Sequence, residues 1–199
     1  MYSTKTAIES TGSIYMNAGI NDNVTLSNVE VTKSPTGKDF IHFTFSDKDG
    51  KIAEMTEWKN EKSMYVKTDA ELQKEDDRQF GRIIQIIKCY ISEVPDVELN
   101  SFVDMINWVK TTLDGVNKDT KLRLKVVYDN KGFIRVSRNG IFVEPMTVQE
   151  SRIVLTGRDK TVRPDIPVDK EDTPKTDPLS AVNDATPADE TNSDDDLPF

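Results

Sequence analysis

The side chains of this sequence that could do chemistry are aromatic and cationic residues set along apolar, alternating segments. Aromatic rings can stack on nucleobases, each stacked base contributing about 1–3 kcal/mol, and lysine and arginine can pair with phosphates. The candidates are Lys33, Lys38, Phe40, His42, Trp58, Tyr65, Arg123, Lys125, Lys131, Phe133 and Arg135. This combination of residue types predicts a surface that holds a single nucleic-acid strand.

Several of these candidates also have an ordinary structural explanation. Phe40 could pack beneath the neighbouring loop, and Tyr65 could either stack on a base or staple the following helix. The alternating cations Lys121, Arg123 and Lys125 could form a solvated strand face, and an exposed strand position would suit His42 better than a ligand role. The residue types alone fit both the binding role and the structural role.

A second candidate for recognition is the end of the chain, where three carboxylates precede an apolar tripeptide. The segment is Asp194, Asp195, Asp196, Leu197, Pro198 and Phe199. A small pocket lined by lysine or arginine would suit it, because the phenyl ring fills the apolar part and the carboxylates meet the cations. The segment is therefore predicted to bind a partner protein, and the alternative is a solvated charge run that happens to end in Phe.

The composition argues against catalysis and metal chemistry. Cys89 and His42 are the single cysteine and the single histidine, which excludes a disulfide framework within one chain and most nitrogen-based metal or triad chemistry. The run Asp47–Gly50 resembles the start of a calcium loop, but Trp58 occupies the twelfth position, where a bidentate glutamate is needed. We expect no enzyme activity, no metal and no cofactor.

Charge divides the 199 residues into two parts. Residues 1–157 carry 21 Lys and Arg against 23 Asp and Glu, whereas residues 158–199 carry 5 against 12, so most of the net charge of −9 lies in the second part. That part also holds six of the nine prolines and no aromatic residue before Phe199. The sequence predicts a folded domain over residues 1–157 and a disordered acidic tail over residues 158–199. The acidity of the tail does not argue against a nucleic-acid ligand for the domain.

The amino-terminal residues lack the apolar segment of a signal peptide, and no apolar run approaches the length of a membrane span. A cytoplasmic, reducing location is the expectation that follows.

The first half of the domain reads as three strands. Residues 24–31 alternate, but the phase slips between Leu26 and Val29, which predicts a bulge or sharp bend. Residues 39–46 place Ile41 and its apolar neighbours on one face, and residues 51–58 follow an Asp-Gly hairpin signal. These segments predict an antiparallel meander whose first strand bends into both sides of a small barrel.

Two helices and further strands follow. Thr68 and Glu71 form a predicted capping box, and apolar residues at helical spacing continue to Ile91. A second helix is predicted from Ser101 to Gly115, and strands resume over residues 120–129, 133–137 and 141–144. Three strands, a helical insert and then strands four (120–129) and five (133–137), with the segment 141–144 after them, give the order of an OB-fold, a mainly β, five-stranded Greek-key barrel with helices between strands three and four. An open α+β sheet is the competing fold.

Short segments of the domain resemble bacteriophage-encoded single-stranded DNA-binding proteins of the OB-fold type. The segments are Asn23–Leu26, Pro35–Phe40, Thr56–Trp58, Gln79–Ile84 and Lys125–Tyr128, and the likeness extends over about residues 20–146. The end of the chain is similar to the acidic tip with which bacterial single-stranded DNA-binding proteins recruit enzymes.

The resemblance implies a protein that binds and protects single-stranded DNA during replication, recombination and repair, in the cytoplasm of a phage-infected host. The tip would then recruit phage or host replication proteins, such as a polymerase, helicase, primase or nuclease. The resemblance leaves open whether the chain forms a homo-oligomer. The rival hypothesis is a protein-interaction module that uses the acidic tip as a decoy or adaptor for host factors and binds no DNA.

Overall fold

The computed structural model describes residues 13–164, and the predicted tip Asp194–Phe199 lies outside them. The elements are β1 (Gly19–Lys33), β2 (Asp39–Ser46), β3 (Ile52–Trp58), α1 (Asp69–Ile87), α2 (Phe102–Asp114), β4 (Leu122–Tyr128), β5 (Ile134–Val136) and β6 (Val143–Pro145). The strand order is β3-β2-β1-β4-β5, with β6 also paired to β4, and all paired strands are antiparallel. The described part of the protein is mainly β, a nearly closed five-stranded barrel with two helices. Within these residues, neither helix is both long and apolar enough to cross a bilayer.

The long strand β1 joins the two sides of the barrel. Its second half pairs with β2, and its first half pairs with β4. The register with β2 shifts between Leu26 and Asn28, which confirms the bend predicted from the slipped alternation. A second shift, in the pairing with β4, contains Asn23, whose φ of 60° is in the left-handed region that asparagine tolerates better than most residues.

The hairpin of β2 and β3 separates an inner face from an outer face, as the alternation predicts. Ile41, Phe43 and Phe45 are fully buried, whereas Phe40 and His42 on the opposite face are half-buried. The connecting turn is held by Asp47, whose Oδ1 accepts hydrogen bonds from the backbone N–H groups of Asp49 (2.8 Å) and Lys51 (2.9 Å). The outer face of this hairpin is therefore partly open to solvent.

Both helices bury one apolar stripe against the strands. The predicted capping box is confirmed: the Thr68 side chain accepts from the Glu71 N–H, and the Glu71 carboxylate accepts from the Thr68 N–H at 3.0 Å. The helix α1 buries Ile83, Ile86 and Ile87, and α2 buries Ile106, Val109 and Leu113. The helix α1 ends at Ile87, before the end of the predicted apolar stripe at Ile91.

Strands β5 and β6 occupy successive parts of the same edge of β4. Between them, the Ser137 N–H donates to the Lys125 carbonyl (2.9 Å) and the Lys125 N–H donates to the Phe142 carbonyl (2.7 Å). Residues 138–141 therefore form a short excursion from an otherwise continuous edge. The barrel approaches closure where β5 lies beside β3, and the Arg138 guanidinium donates to the Thr56 carbonyl at 2.5 Å.

The segment 151–160 covers the outer face of β4 through a buried ion pair. Lys125 Nζ lies 3.1 Å from Asp159 Oδ2, and the two side chains are 1% and 0% exposed. Asp159 also accepts hydrogen bonds from Ser137 Oγ (2.9 Å) and from the Thr156 N–H (2.8 Å). Burial opposes ionisation of Asp159, but the hydrogen bonds from Thr156, Ser137 and Lys125 outweigh it and hold the pKa of this carboxyl well below its usual range. Residues assigned to the tail by the sequence pattern thus pack on the barrel.

We expect Asp159→Ala to lower the free energy of unfolding by about 3–5 kcal/mol, because it leaves the Lys125 ammonium buried without a counter-charge. The double variant Lys125→Met/Asp159→Asn should recover more than half of this loss, since it removes both charges and keeps an acceptor for Thr156. Urea unfolding at pH 7 measures both values. Equal losses in the single and double variants would contradict a penalty for the unpaired charge.

The same pair predicts a pH dependence. Because the pKa of Asp159 is lower in the folded state, its contribution is complete above the pKa of an unfolded aspartate, about 4, and is lost as the pH falls towards the folded value. The stability difference between wild type and Asp159→Asn should therefore shrink below about pH 4. Urea unfolding between pH 3 and pH 7 tests this, and a difference that grows in acid would contradict it.

Candidate nucleic-acid interface

The outer face of β2 and β3 carries an exposed pair of aromatic rings at one end. Phe40 pairs with Trp58 across the two strands, which places both side chains on the same face. Their ring centroids are 4.3 Å apart with the planes tilted by 34°, and Trp58 is 41% exposed. Phe40 therefore packs against Trp58 and fixes the orientation of an indole that remains open to solvent.

The middle of this face is polar and carries negative charge. His42 Nδ1 lies 2.7 Å from Thr56 Oγ1, and His42 Nε2 lies 3.3 Å from Glu54 Oε1. Glu30 on β1 is the register partner of His42 and is exposed. His42 is thus a positioned polar strand residue, and a phosphate over the centre of the face would meet carboxylates.

Both lysines predicted at the β1–β2 turn form ion pairs. Lys33 Nζ lies 2.8 Å from Asp39 Oδ1, and Lys38 Nζ lies 2.9 Å from Glu61 Oε1. Surface pairs of this kind contribute about 0–1 kcal/mol, so a phosphate could displace the carboxylates, but each lysine is already partly neutralised. The Lys38–Glu61 pair also ties the segment after β3 to the turn beside Trp58.

Tyr65 lies in the segment between β3 and α1 and is 85% exposed. Of the two possibilities left by the sequence, stapling of the helix does not fit this exposure. The neighbouring Met64 is also exposed, at 72%, and the backbone here is held by a turn in which the Ser63 and Val66 main chains bond to each other. Tyr65 is consequently an open aromatic ring that a ligand could reach.

The predicted surface role of Lys125 is corrected by its burial. Alternation places Arg123 and Lys125 on the outer face of β4 as expected, but residues 151–160 cover Lys125, and β6 lies beside Arg123 along the edge of β4. Arg123 is also engaged: its Nη1 lies 2.7 Å from Glu144 Oε1 and its Nε lies 2.8 Å from Asp22 Oδ1. Hydrogen bonds to these two carboxylates, with the larger effect from Glu144, hold the pKa of Arg123 above its usual value. Neither cation is therefore brought together with Trp58.

The β4–β5 turn presents a second aromatic ring. Asp129 Oδ1 accepts hydrogen bonds from the backbone N–H groups of Lys131 (2.8 Å) and Phe133 (2.9 Å), which shapes the turn and holds Phe133 54% exposed. Lys131 is exposed in the same turn. Arg135 follows on β5, 48% exposed and 3.8 Å from both Glu54 and Asp129.

One aromatic residue near this turn was missed by sequence reasoning. Tyr15 precedes β1, is 39% exposed and forms an isolated parallel bridge with Ile52. It lines a concavity with Tyr128, Phe133, Arg135 and Arg163. The residues around Tyr15 have no clear alternation, so only the bridge to β3 reveals its position.

The two aromatic clusters lie towards opposite ends of β3. Trp58 ends the strand, whereas Glu54, which faces Arg135, lies four residues earlier, about 13 Å away for an extended chain. The structure therefore places Phe40, His42, Trp58 and Arg135 along one side of the barrel. The turns that carry the predicted lysines flank this side.

Other chemistry is limited within the described residues. Residues 13–164 contain no group of three or more side chains that could hold a metal ion. Burial, with a smaller contribution from Glu144, raises the pKa of the Cys89 thiol to about 12, so the thiol is protonated at neutral pH.

No protein-family model matches the chain, and comparison with curated proteins gives no significant match.

The packing of Phe40 on Trp58 predicts a spectroscopic response. In a Trp108→Phe background, which leaves Trp58 as the only indole, Phe40→Ala should shift Trp58 emission to the red and increase acrylamide quenching. A double-mutant cycle on Phe40 and Trp58 should give a coupling free energy of unfolding of about 0.5–1.5 kcal/mol. Phe80→Ala in the same background is the control, because Phe80 contacts Trp108 instead. Unchanged Trp58 emission in Phe40→Ala would contradict the packing.

Proposed function

We propose that the barrel is an OB-fold that binds and protects single-stranded DNA, largely without sequence preference, during replication, recombination or repair. The observation that carries the proposal is the exposed Phe40–Trp58 pair on the outer face of β2 and β3, with centroids 4.3 Å apart. A fixed, solvent-open indole is a stacking platform for a base. Any base can use it, because every base has a π-face.

The strand arrangement supports the OB-fold assignment. Strand β1 pairs with both β2 and β4, β5 lies on the far side of β4, and β5 also lies beside β3. In an OB-fold, oligonucleotides bind across the face of strands two and three, between the loop that joins strands one and two and the loop that joins strands four and five. Here those loops are residues 34–38, which include Lys38, and residues 129–133, which include Phe133.

The charge distribution supports a particular placement of the bound strand. Glu54 and Glu30 occupy the middle of the face, so the phosphates are expected to run along its margins while the bases stack on the rings. The choice of DNA as the nucleic acid rests on the sequence resemblance, because stacking and phosphate pairing are similar for both sugars.

We further propose that the terminal segment Asp194–Phe199 recruits replication or recombination enzymes. The proposal rests on its sequence alone: three carboxylates and a terminal phenyl ring suit a small cationic pocket. The two functions use different parts of the chain, and they are expected to be separable by substitution.

The DNA-binding proposal is tested by titration of full-length protein with fluorescent oligo-dT and with duplex of equal length, at two salt concentrations. We expect binding to oligo-dT in preference to duplex, with a change in tryptophan fluorescence. Trp58→Ala should weaken oligo-dT binding by roughly 5- to 150-fold, which corresponds to the loss of one stacked base at about 1–3 kcal/mol.

Trp108→Phe is the matched control, because Trp108 is half-buried on α2 and packs against Phe80. Its oligo-dT affinity and fluorescence change should equal those of the wild type. Absence of oligo-dT binding at low salt would reject the proposal and favour the protein-interaction module.

Phe199→Ala is expected to abolish partner binding and to leave the oligo-dT affinity unchanged. Purified single-stranded DNA-binding-protein-dependent enzymes, such as a helicase and a nuclease, serve as partners in a pull-down with the full-length chain. Trp58→Ala is the reciprocal control and should retain these partners. Collapse of DNA binding in Phe199→Ala would show that the two functions are not separable.

A further inference from the structure

We propose that a second surface binds the phosphodiester backbone of the same strand, along β5 and residues 152–163. This inference rests on the proposed function and extends its site beyond the face of β2 and β3. We call the surface the β5 groove. Its cations are Arg135, Arg138, Arg152, Arg158, Lys160 and Arg163.

The groove is continuous because three adjoining concavities share their walls. The central one is lined by Arg135, Arg138, Arg158 and Lys160. Arg138 and Arg158 also line the concavity on one side, together with Arg152. Arg135 lines the concavity on the other side, which it shares with Arg163.

The cations of the groove face few carboxylates. Among its lining residues the only acidic ones are Glu54 and Asp129, each 3.8 Å from Arg135, and Arg138 Nε also lies 3.6 Å from Oε1 of the buried Glu57. Within residues 13–164, the side chains of Arg152, Arg158 and Arg163 form no ion pair. By contrast, Lys33, Lys38 and Arg123 each have a carboxylate oxygen within 3 Å. Phosphates would therefore meet less competition in the β5 groove than at the lysines beside Trp58.

The fold holds this segment against the barrel before any ligand arrives. Asp159 points inward to the buried Lys125, while its neighbours Arg158 and Lys160 are exposed. The Lys160 carbonyl accepts from the Tyr128 N–H at 2.8 Å, and the Lys160 ammonium donates to Asn130 Oδ1 at 2.9 Å. A backbone fixed in this way lowers the entropy lost when phosphates bind.

Aromatic rings at one end of the groove favour a nucleic acid over other polyanions. Tyr15, Tyr128 and Phe133 line the same concavity as Arg135 and Arg163. Rings and cations in one concavity suit bases and phosphates together, whereas a polyanion without aromatic groups, such as poly-glutamate, would leave the rings without partners. Arg135, beside Glu54 of β3, connects this end to the face that carries Trp58.

The test measures how oligo-dT affinity depends on salt for full-length wild type and for the triple variant Arg152→Gln/Arg158→Gln/Arg163→Gln. Each phosphate contact on a single strand contributes about 0.7 to the slope of log K against log salt, so the triple variant should lose about 2 from the slope. The Trp58 fluorescence change at saturation should be retained, because the aromatic pair is untouched.

Lys74→Gln/Lys88→Gln/Lys118→Gln is the matched control, which removes the same charge from α1, from its C-cap and from the segment after α2, where Lys118 lies 3.8 Å from Asp114. It should keep the wild-type slope. An equal loss of salt slope in both triple variants, or no loss in either, would overturn the proposal that the β5 groove binds phosphates. The proposed function would remain in place. Weakened binding of poly-glutamate with an unchanged oligo-dT slope would assign the groove to an acidic peptide and also overturn it. A wild type that does not bind oligo-dT would reject the proposed function itself.

Discussion

The buried ion pair between Lys125 and Asp159 organises much of the surface of this barrel. Two charges at 1% and 0% exposure are tolerated only because Ser137, Thr156 and a backbone carbonyl complete their hydrogen bonds. The pair fastens residues 151–160 across the outer face of β4. That face is thereby closed to ligands, and the cations that flank Asp159 are directed outward beside β5.

The bend in β1 is the second constraint, because it lets one strand pair with β2 and with β4. The barrel then approaches closure at β3 and β5, where side chains replace a hydrogen-bonded ladder. Arg82 and Gln79 of α1 meet the buried Glu57 there, with Arg82 Nε 3.0 Å from Glu57 Oε1 and Gln79 Nε2 2.8 Å from Glu57 Oε2. The helical insert therefore supports the strand that ends in Trp58.

Ion pairing distinguishes the cations that are already neutralised by a carboxylate from those that are not. The lysines beside the aromatic pair and Arg123 on β4 are each engaged by a carboxylate, whereas Arg152, Arg158 and Arg163 have no such partner among the described residues. Under the proposed function, a single strand would stack bases on Phe40 and Trp58 and place its phosphates along the β5 groove. Tyr15, Tyr128 and Phe133 would offer further rings at one end of that groove.

Local patterns in the sequence were sufficient to predict the strands, the capping box at Thr68, the bend near Leu26 and the outward position of Phe40 and Trp58. Each of these features depends on alternation or spacing between residues that are close in the sequence. The burial of Lys125 could not be read in this way. It depends on Asp159, 34 residues later in the chain, and an alternating Leu-Arg-Leu-Lys strand looks the same whether its polar face is solvated or covered. The positions of Tyr15 and of the cations in residues 152–163 likewise depend on long-range contacts. The sequence by itself determined which elements form and which faces they have, and only the tertiary structure decided which of those faces remain open, because coverage depends on contacts between distant segments.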